Sequence, residues 1–313
     1  LGRLYNGGLG VTQDHAKARD WYTQAAERGN AEAQSILALY YYNGEGGEQN
    51  LDKARTWFEK AAAQGDSDAL RNLGIIYAEG EGVAQDYKKA YDYWKQAAAQ
   101  GDTAAQNGLA QLYHDGLGVT QDFAQAYQWW KTAAEQDNAN AQNHLAICYL
   151  QGEGVNKDSK KACEWFEKAA IQGLSEAQFN LGVFYEKGRG IPQNYEKARE
   201  WYEKAAAQGN GFAKYNLGTL YADGKGTPQD YGKAREWFEK AAAQGFSEAQ
   251  HTLGVLYDNG TGVAQDYDQA REWYEKAAAQ GQAESQYNLG LFYDNGQGVP
   301  QDLSLIHISE PTR

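Results

Sequence analysis

The side chains best suited to nucleophilic or metal chemistry are Cys148, Cys163 and five histidines: His15, His114, His144, His251 and His307. A catalytic thiol needs a base beside it and a third group to orient that base. No histidine and acid stand near either cysteine in such an order. Nor do any two histidines share the i,i+4 spacing that puts two imidazoles on one helix face for zinc. His114 and His144 could approach each other, but two nitrogens without an identified carboxylate make a poor site. The recurring Gly-x-Gly loops have neither the following Lys-Ser/Thr nor the preceding strand of a phosphate cradle. These residues predict no catalytic centre, no cofactor and no metal.

The elements that carry them repeat. Trp21, Trp57, Trp129, Trp165, Trp201, Trp237 and Trp273 keep a 36-residue phase, with Tyr93 in the one gap. Gly8, Gly44, Gly80, Gly116, Gly152, Gly188, Gly224, Gly260 and Gly296 hold the same register. An unbroken period of this length marks a solenoid, in which each unit buries its apolar face on its neighbours.

Each repeat reads as two helices. In the Asn30–Gly65 copy the first helix, near Ala31–Tyr42, aligns Ala33, Leu37, Tyr40 and Tyr41 on one stripe. Asn30, Asp66, Asp102, Asn138 and Asn210 are its N-cap residues, and glycine stops it. Where that slot is apolar, at Leu174 and Phe246, Ser175–Gln178 and Ser247–Gln250 predict capping boxes. Asp14, Asn50, Asp86, Asp122, Asp158, Asn194, Asp230 and Asp266 cap the second helix, whose buried stripe is Leu51, Ala54, Phe58 and Ala61, widened by Trp57 and Ala62. Gly29, Gly65, Gly101, Gly173, Gly209, Gly245 and Gly281 close it; Asp137 replaces glycine once. Small alanines let the helices approach, and the aromatic residues fill the remaining space, so the aromatic ladder reads as core.

A formal charge of −13 excludes a phosphate-binding surface, so no nucleic-acid partner is expected. The lysines interleave with glutamates; Glu164–Lys168, Glu200–Lys204, Glu236–Lys240 and Glu272–Lys276 predict i,i+4 pairs. No apolar run reaches the roughly 18 residues a membrane helix needs. The sequence opens at Leu1 in mid-repeat and contains no methionine, so its natural start, with any targeting segment, is expected to lie upstream; cytoplasmic, periplasmic and secreted locations are all compatible. Residues 1–302 form the array. Leu303–Arg313, with Ile306 and Ser309 in the alanine and tryptophan slots, resembles translated adapter DNA and reads as a non-native tail, leaving an uncovered end open to self-association.

The motif Leu-Gly-x-x-Tyr-x-x-Gly-x-Gly-Val-x-Gln-Asp-Tyr-x-Lys-Ala-x-x-Trp-x-x-Lys-Ala-Ala-x-x-Gly, repeated eight to nine times over Leu1–Asp302, resembles the Sel1-like repeat, a relative of the tetratricopeptide repeat. The resemblance implies an all-α fold, a right-handed superhelix of helix-turn-helix units. It also implies adaptors and scaffolds in bacteria and eukaryotes, with no catalytic residues. Cysteine-rich secreted relatives resemble penicillin-binding or β-lactamase proteins and have a disulfide in each repeat; this chain departs from them. Cys148 occupies the core column of Tyr40, Ile76, Leu112 and Phe184, whereas Cys163 occupies the column of Arg199, Arg235 and Arg271, expected to be mostly exposed. A disulfide between opposite faces is not expected.

Some columns of the first helix hardly change between copies, and others change freely: those of Glu32, Ser35, Leu39, Tyr42 and Asn43, which form one stripe. The tetratricopeptide resemblance implies that this stripe lines a concave groove for partner peptides. The Ser35 column runs Arg71, Asn107, Asn143, Phe179, Tyr215, His251 and Tyr287. The Leu39 column adds Ile75, Gln111, Ile147, Val183, Thr219 and Val255, and the Tyr42 column adds His114, Glu186 and Asp258. Aromatic anchors beside aliphatic ones have the character of binding hot spots. The expected function is a non-catalytic scaffold holding an extended or helical protein segment, chiefly around Phe179–Tyr287. The rivals are a cell-wall-active, β-lactamase-like hydrolase and a purely structural or self-assembling spacer.

Overall fold

The computed structural model describes residues 1–297, and its described secondary structure is all helical. Gly298–Arg313, with His307 and the adapter-like tail, lie outside the described residues. The chain divides into two compact units, Leu1–Asp158 and Ser159 onward. The first comprises α1 (Gly2–Gly7), α2 (His15–Glu27), α3 (Ala31–Asn43), α4 (Leu51–Ala62), α5 (Ser67–Glu79), α6 (Tyr87–Ala99), α7 (Thr103–Asp115), α8 (Phe123–Ala134) and α9 (Ala139–Gln151). The second comprises α10 (Ser159–Ile171), α11 (Ser175–Lys187), α12 (Tyr195–Ala207), α13 (Gly211–Asp223), α14 (Tyr231–Ala242), α15 (Ser247–Asn259), α16 (Tyr267–Ala279) and α17 (Ala283–Asn295). Within each unit every helix packs on the next, in the manner of helical hairpins set side by side.

The Gln-Asp or Gln-Asn pair that recurs before most second helices joins the hairpin from both sides. In the hairpin of α13 and α14, Gln229 Nε2 donates to the Ala222 carbonyl at the end of α13 (2.7 Å), while Asp230 Oδ1 accepts from the Lys233 N–H at the start of α14 (2.9 Å). Both helix ends thereby satisfy backbone groups that would otherwise lack partners. The second glycine of the same loop, Gly226, has φ +68°, and a Cβ there would stand 2.5 Å from the Tyr195 carbonyl carbon. Only glycine allows both that backbone and that approach.

The core follows the anticipated columns. Leu37, Leu73, Leu109 and Leu145 in the first unit, and Leu181, Leu217 and Leu253 in the second, are fully buried. Opposite them lie the alanines of the second helices and the rings of Phe58, Phe166, Tyr202, Phe238 and Tyr274. The tryptophans of the repeat phase are the outer part of this layer. Trp57, Trp165, Trp201, Trp237 and Trp273 are half-buried, and each carries a lysine ammonium over its ring, with Lys60, Lys168, Lys204, Lys240 and Lys276 at 3.8–4.1 Å from the centroids. This corrects the Glu–Lys expectation: the lysine three residues on takes the indole face rather than the glutamate four residues back, gaining cation–π attraction and covering apolar surface. Among the described residues i,i+4 ion pairs join Arg55–Glu59, Lys131–Glu135, Arg199–Glu203, Arg235–Glu239 and Arg271–Glu275.

The capping boxes are likewise corrected. Leu174 and Phe246 stand at their N-caps without a side-chain hydrogen bond. Gln178 and Gln250 instead donate to the Ala170 and Ala242 carbonyls in the last turn of the preceding helix (3.1 and 3.2 Å). Their Oε1 atoms accept from Gln208 and Gln280 (2.8 and 2.7 Å). Gln34 and Gln106 repeat the arrangement in the first unit, so one buried amide links three successive helix ends.

Candidate protein-binding surface

The variable columns fall into two different environments. In the first unit their side chains are largely engaged with one another. Arg71 bridges Asp68 and Asp102 at 2.7 and 2.8 Å, and Ile75 is exposed. Asn107 accepts from the Trp130 indole N–H (3.1 Å), and Asn143 is buried. Gln111, His114 and Ile147 meet around a cavity of about 130 Å³, completed by Trp130, His144, Cys148 and Glu153.

The electrostatics of this cavity are uneven. His114 has a carboxylate on each ring nitrogen, Asp115 Oδ1 at 2.6 Å and Glu153 Oε2 at 3.1 Å. Burial alone would lower its pKa, but the two hydrogen bonds and their charges outweigh burial and raise it. His144 is pushed down to about 4, first by burial and then by repulsion from His114. Both rings pack on the Trp130 indole, with centroids 5.4 and 4.9 Å away. The carboxylates beside His114, hidden in the sequence, come from the next residue and from the following repeat. Among the described residues no three histidine, cysteine, aspartate or glutamate side chains are grouped as a metal requires.

Cys148 lines the same cavity, but burial pushes its pKa up to about 12, the reverse of an activated thiolate. Cys163 corrects the expectation of exposure: it is buried, and its thiol is pushed up to about 11 by burial. The arginines that share its column explain this. Arg199, Arg235 and Arg271 are only 25–35% exposed, so the position covers aliphatic stem and a short side chain there is enclosed. Both thiols are free.

In the second unit the Ser35 column is aromatic. Phe179 stacks at a tilt on Tyr202 (5.8 Å) and on Phe212 (5.7 Å). Phe212 meets Phe246 edge-on at 4.6 Å, and Tyr215 lies against Phe238 and Phe246 at 5.5 and 6.3 Å. The result is a strip of rings across α11, α13 and the start of α15, in which Phe212 is 58% exposed. Val183 packs at its base. Thr219 donates to the Tyr215 carbonyl at 3.3 Å. Glu186 accepts from the buried Tyr202 hydroxyl at 2.7 Å, and Asp258 faces that of Tyr274 at 3.4 Å, so these two acids brace second-helix tyrosines. His251 pairs with Ser285 (2.8 Å) and lies on the Tyr274 ring, Val255 packs beside that ring, and Tyr287 is exposed.

Sequence reasoning brought Phe179 and Tyr215 to this strip and missed Phe212 and Phe246. Phe246 occupies the N-cap slot of α15, and Phe212 stands two residues after the Asn210 N-cap of α13, in the freely changing column of Glu32. Two phenylalanines 34 residues apart, Phe246 where the pattern asks for a polar cap and Phe212 in a column that holds Glu32, Glu176, Glu248 and Glu284, were the available signal.

The chain matches the Sel1 repeat over residues 1–30, 31–66, 67–102, 103–138, 139–174, 175–210, 211–246, 247–282 and 283–305. Among solved structures it resembles a protective antigen of uropathogenic Escherichia coli with an SLR fold, at 36% identity and TM-score 0.66, over 97% of this chain and 73% of that one. A Sel1 repeat protein from Oxalobacter formigenes is similar at 31% identity and TM-score 0.70, over 91% of this chain and 83% of that one. No curated protein matches the sequence. The nine matched repeats, and the two solenoids more than 30% identical along nearly the whole length, place this chain in the Sel1 repeat family.

Proposed function

We propose that this protein is a non-catalytic scaffold that holds a partner protein by an extended or helical segment, and that the second unit grips that segment on the Phe179–Phe212–Tyr215–Phe246 strip. Sel1 repeats generally mediate protein interactions, which supports the class of function. The observation that carries the site is Phe212: a ring more than half exposed, between two other rings, on an otherwise acidic and polar protein. An exposed ring supported on both sides gives a partner a rigid apolar anchor at small entropic cost, the usual anatomy of a hot spot. With the formal charge at −13, the complementary segment is one with apolar side chains and a net positive charge.

The test is selection of peptides from a random display library on the intact protein, followed by titration of the winners against Phe212→Ala and the Phe179→Ala, Phe212→Ala pair. Truncating hot-spot rings costs about 2 kcal/mol or more, so affinity should fall at least ~30-fold while helicity is unchanged. Equal affinity for all three proteins would remove the strip from consideration as the site.

A further inference from the structure

The cavity between α7, α8 and α9 has a chemical bias that the aromatic strip lacks: its lining is rich in acceptors and carries more negative than positive charge. The Trp130 N–H is given to Asn107, and the Gln111 amide nitrogen to Asp115 at 2.6 Å. His114, with carboxylates on both nitrogens, must donate from both. What a cationic visitor meets is the Oε1 of Gln111, the buried and unpartnered Nδ1 of His144, an acceptor in the Nε2–H tautomer, and the open lone pairs of Glu153. With its amide turned so that the nitrogen faces Glu153, Gln151 donates to those oxygens at 3.0 and 3.2 Å, and a carboxylate has room for more than the two donors then present. Asp115 and Glu153 together carry two negative charges against the single positive charge His114 can hold. The site therefore rejects anions and asks for a cationic donor.

Size narrows the occupant. About 130 Å³ is well below the roughly 300–1,000 Å³ of sites that enclose whole small molecules, and matches the end of one side chain. Ile147 and Cys148 supply apolar wall for a methylene stem.

We propose that this cavity is a specificity pocket for a lysine or arginine side chain of a bound protein segment, its ammonium or guanidinium held by Glu153, Gln111 and His144. The proposal rests on the scaffold reading and adds the chemistry that the first unit selects.

The experiment uses the whole protein and three probes: Nα-acetyl-lysine methylamide, the arginine analogue, and the Nε-acetylated lysine analogue. Binding is followed by NMR on the ring C–H resonances of His114 and His144. The two cationic probes should shift both rings saturably, with dissociation constants of about a millimolar, the range for a single side chain. The Nε-acetylated probe should leave them unmoved, and Glu153→Gln should weaken the cationic probes about tenfold or more. Equal shifts with the acetylated probe, or unchanged affinity in Glu153→Gln, would overturn the pocket. If Glu153→Gln fails to fold, Ile147→Trp, which keeps the carboxylate and fills the cavity, must abolish the same shifts; persistence would overturn it equally. None of these variants touches the strip in the second unit. Peptide capture that depends on Phe212 while the cationic probes fail would thus refute the pocket alone.

Discussion

Acidifying this protein should destabilise it through His144, and the size of the effect follows from its surroundings. The imidazole is buried against Trp130, and its pKa is pushed from 6.5 to about 4 by burial and by the charge on His114, which outweigh the opposing charge of Asp115. A base with a depressed pKa in the folded state is neutral in both states above its unfolded value, so its full contribution is retained there. As pH falls below 6.5 the unfolded chain takes up a proton that the folded chain refuses, and stability is lost until the folded pKa is reached. The pKa difference corresponds to about 3 kcal/mol below both values, and about 2 kcal/mol at about pH 5. His114 acts with the opposite sign: its raised pKa contributes stability below 6.5 that is lost as pH climbs through the folded value. Comparing wild type with His144→Asn separates the two, because His114 is in both. Asparagine already fills the same column at Asn72, Asn180, Asn216 and Asn288, so the substitution is compatible with the fold. Urea unfolding at about pH 8 and about pH 5 should show the gap between the proteins shifting in favour of His144→Asn by about 2 kcal/mol on acidification. A gap that does not change with pH would refute the burial argument, whatever the variant's stability at pH 8.

Further substitutions probe packing and reactivity. A Cβ at Gly218 would stand 2.5 Å from the Phe238 ring, so Gly218→Ala should lower stability by about 1–3 kcal/mol despite alanine's better helix propensity. Gly232→Ala, on a helix position open except for the Asp230 cap oxygen at 3.3 Å, should instead raise it by about 0.5–1 kcal/mol; calorimetry that finds the same sign for both would contradict the packing described. Cys148 and Cys163 should resist an aromatic disulfide reagent at mildly alkaline pH until the chain unfolds, since both thiols are buried and held above their ordinary pKa. Rapid labelling of either native thiol would show that its cover is incomplete.

Which parts of the molecule were legible in sequence depends on how local the deciding force is. Helix ends were readable because a cap is settled within four residues: Asp230 accepts from Lys233, and Asp137, the one departure from glycine, adopts φ 63° as its slot demands. The competition for Lys204 was not readable, because helical spacing offers it both Glu200 and Trp201, and the half-buried indole wins by area and polarisability. Gln178 and Gln250 were misassigned for a related reason: a local capping box and a carbonyl on the previous helix compete for one amide, and the buried carbonyl has no water to fall back on. The cavity around His114 needed Glu153 from the next repeat, a contact that column-by-column comparison does not bring into view.

The glutamine relay that joins helix ends has two gaps with a mechanical meaning. The column of Gln178 and Gln250 holds Leu70 in the first unit and Lys214 in the second, and Gln244, which would have bonded to a glutamine at 214, keeps only its bond to the Gly209 carbonyl at 2.9 Å, the counterpart of the bond from Gln208 to Gly173. A repeat array has the strength of its individual seams, since each copy is held only by its neighbours. The α12–α13 seam, like the α4–α5 seam at Leu70, thus lacks a stitch that the flanking seams have, and strain or heat should part the fabric at these two places first, exchanging their amides ahead of the flanking hairpins.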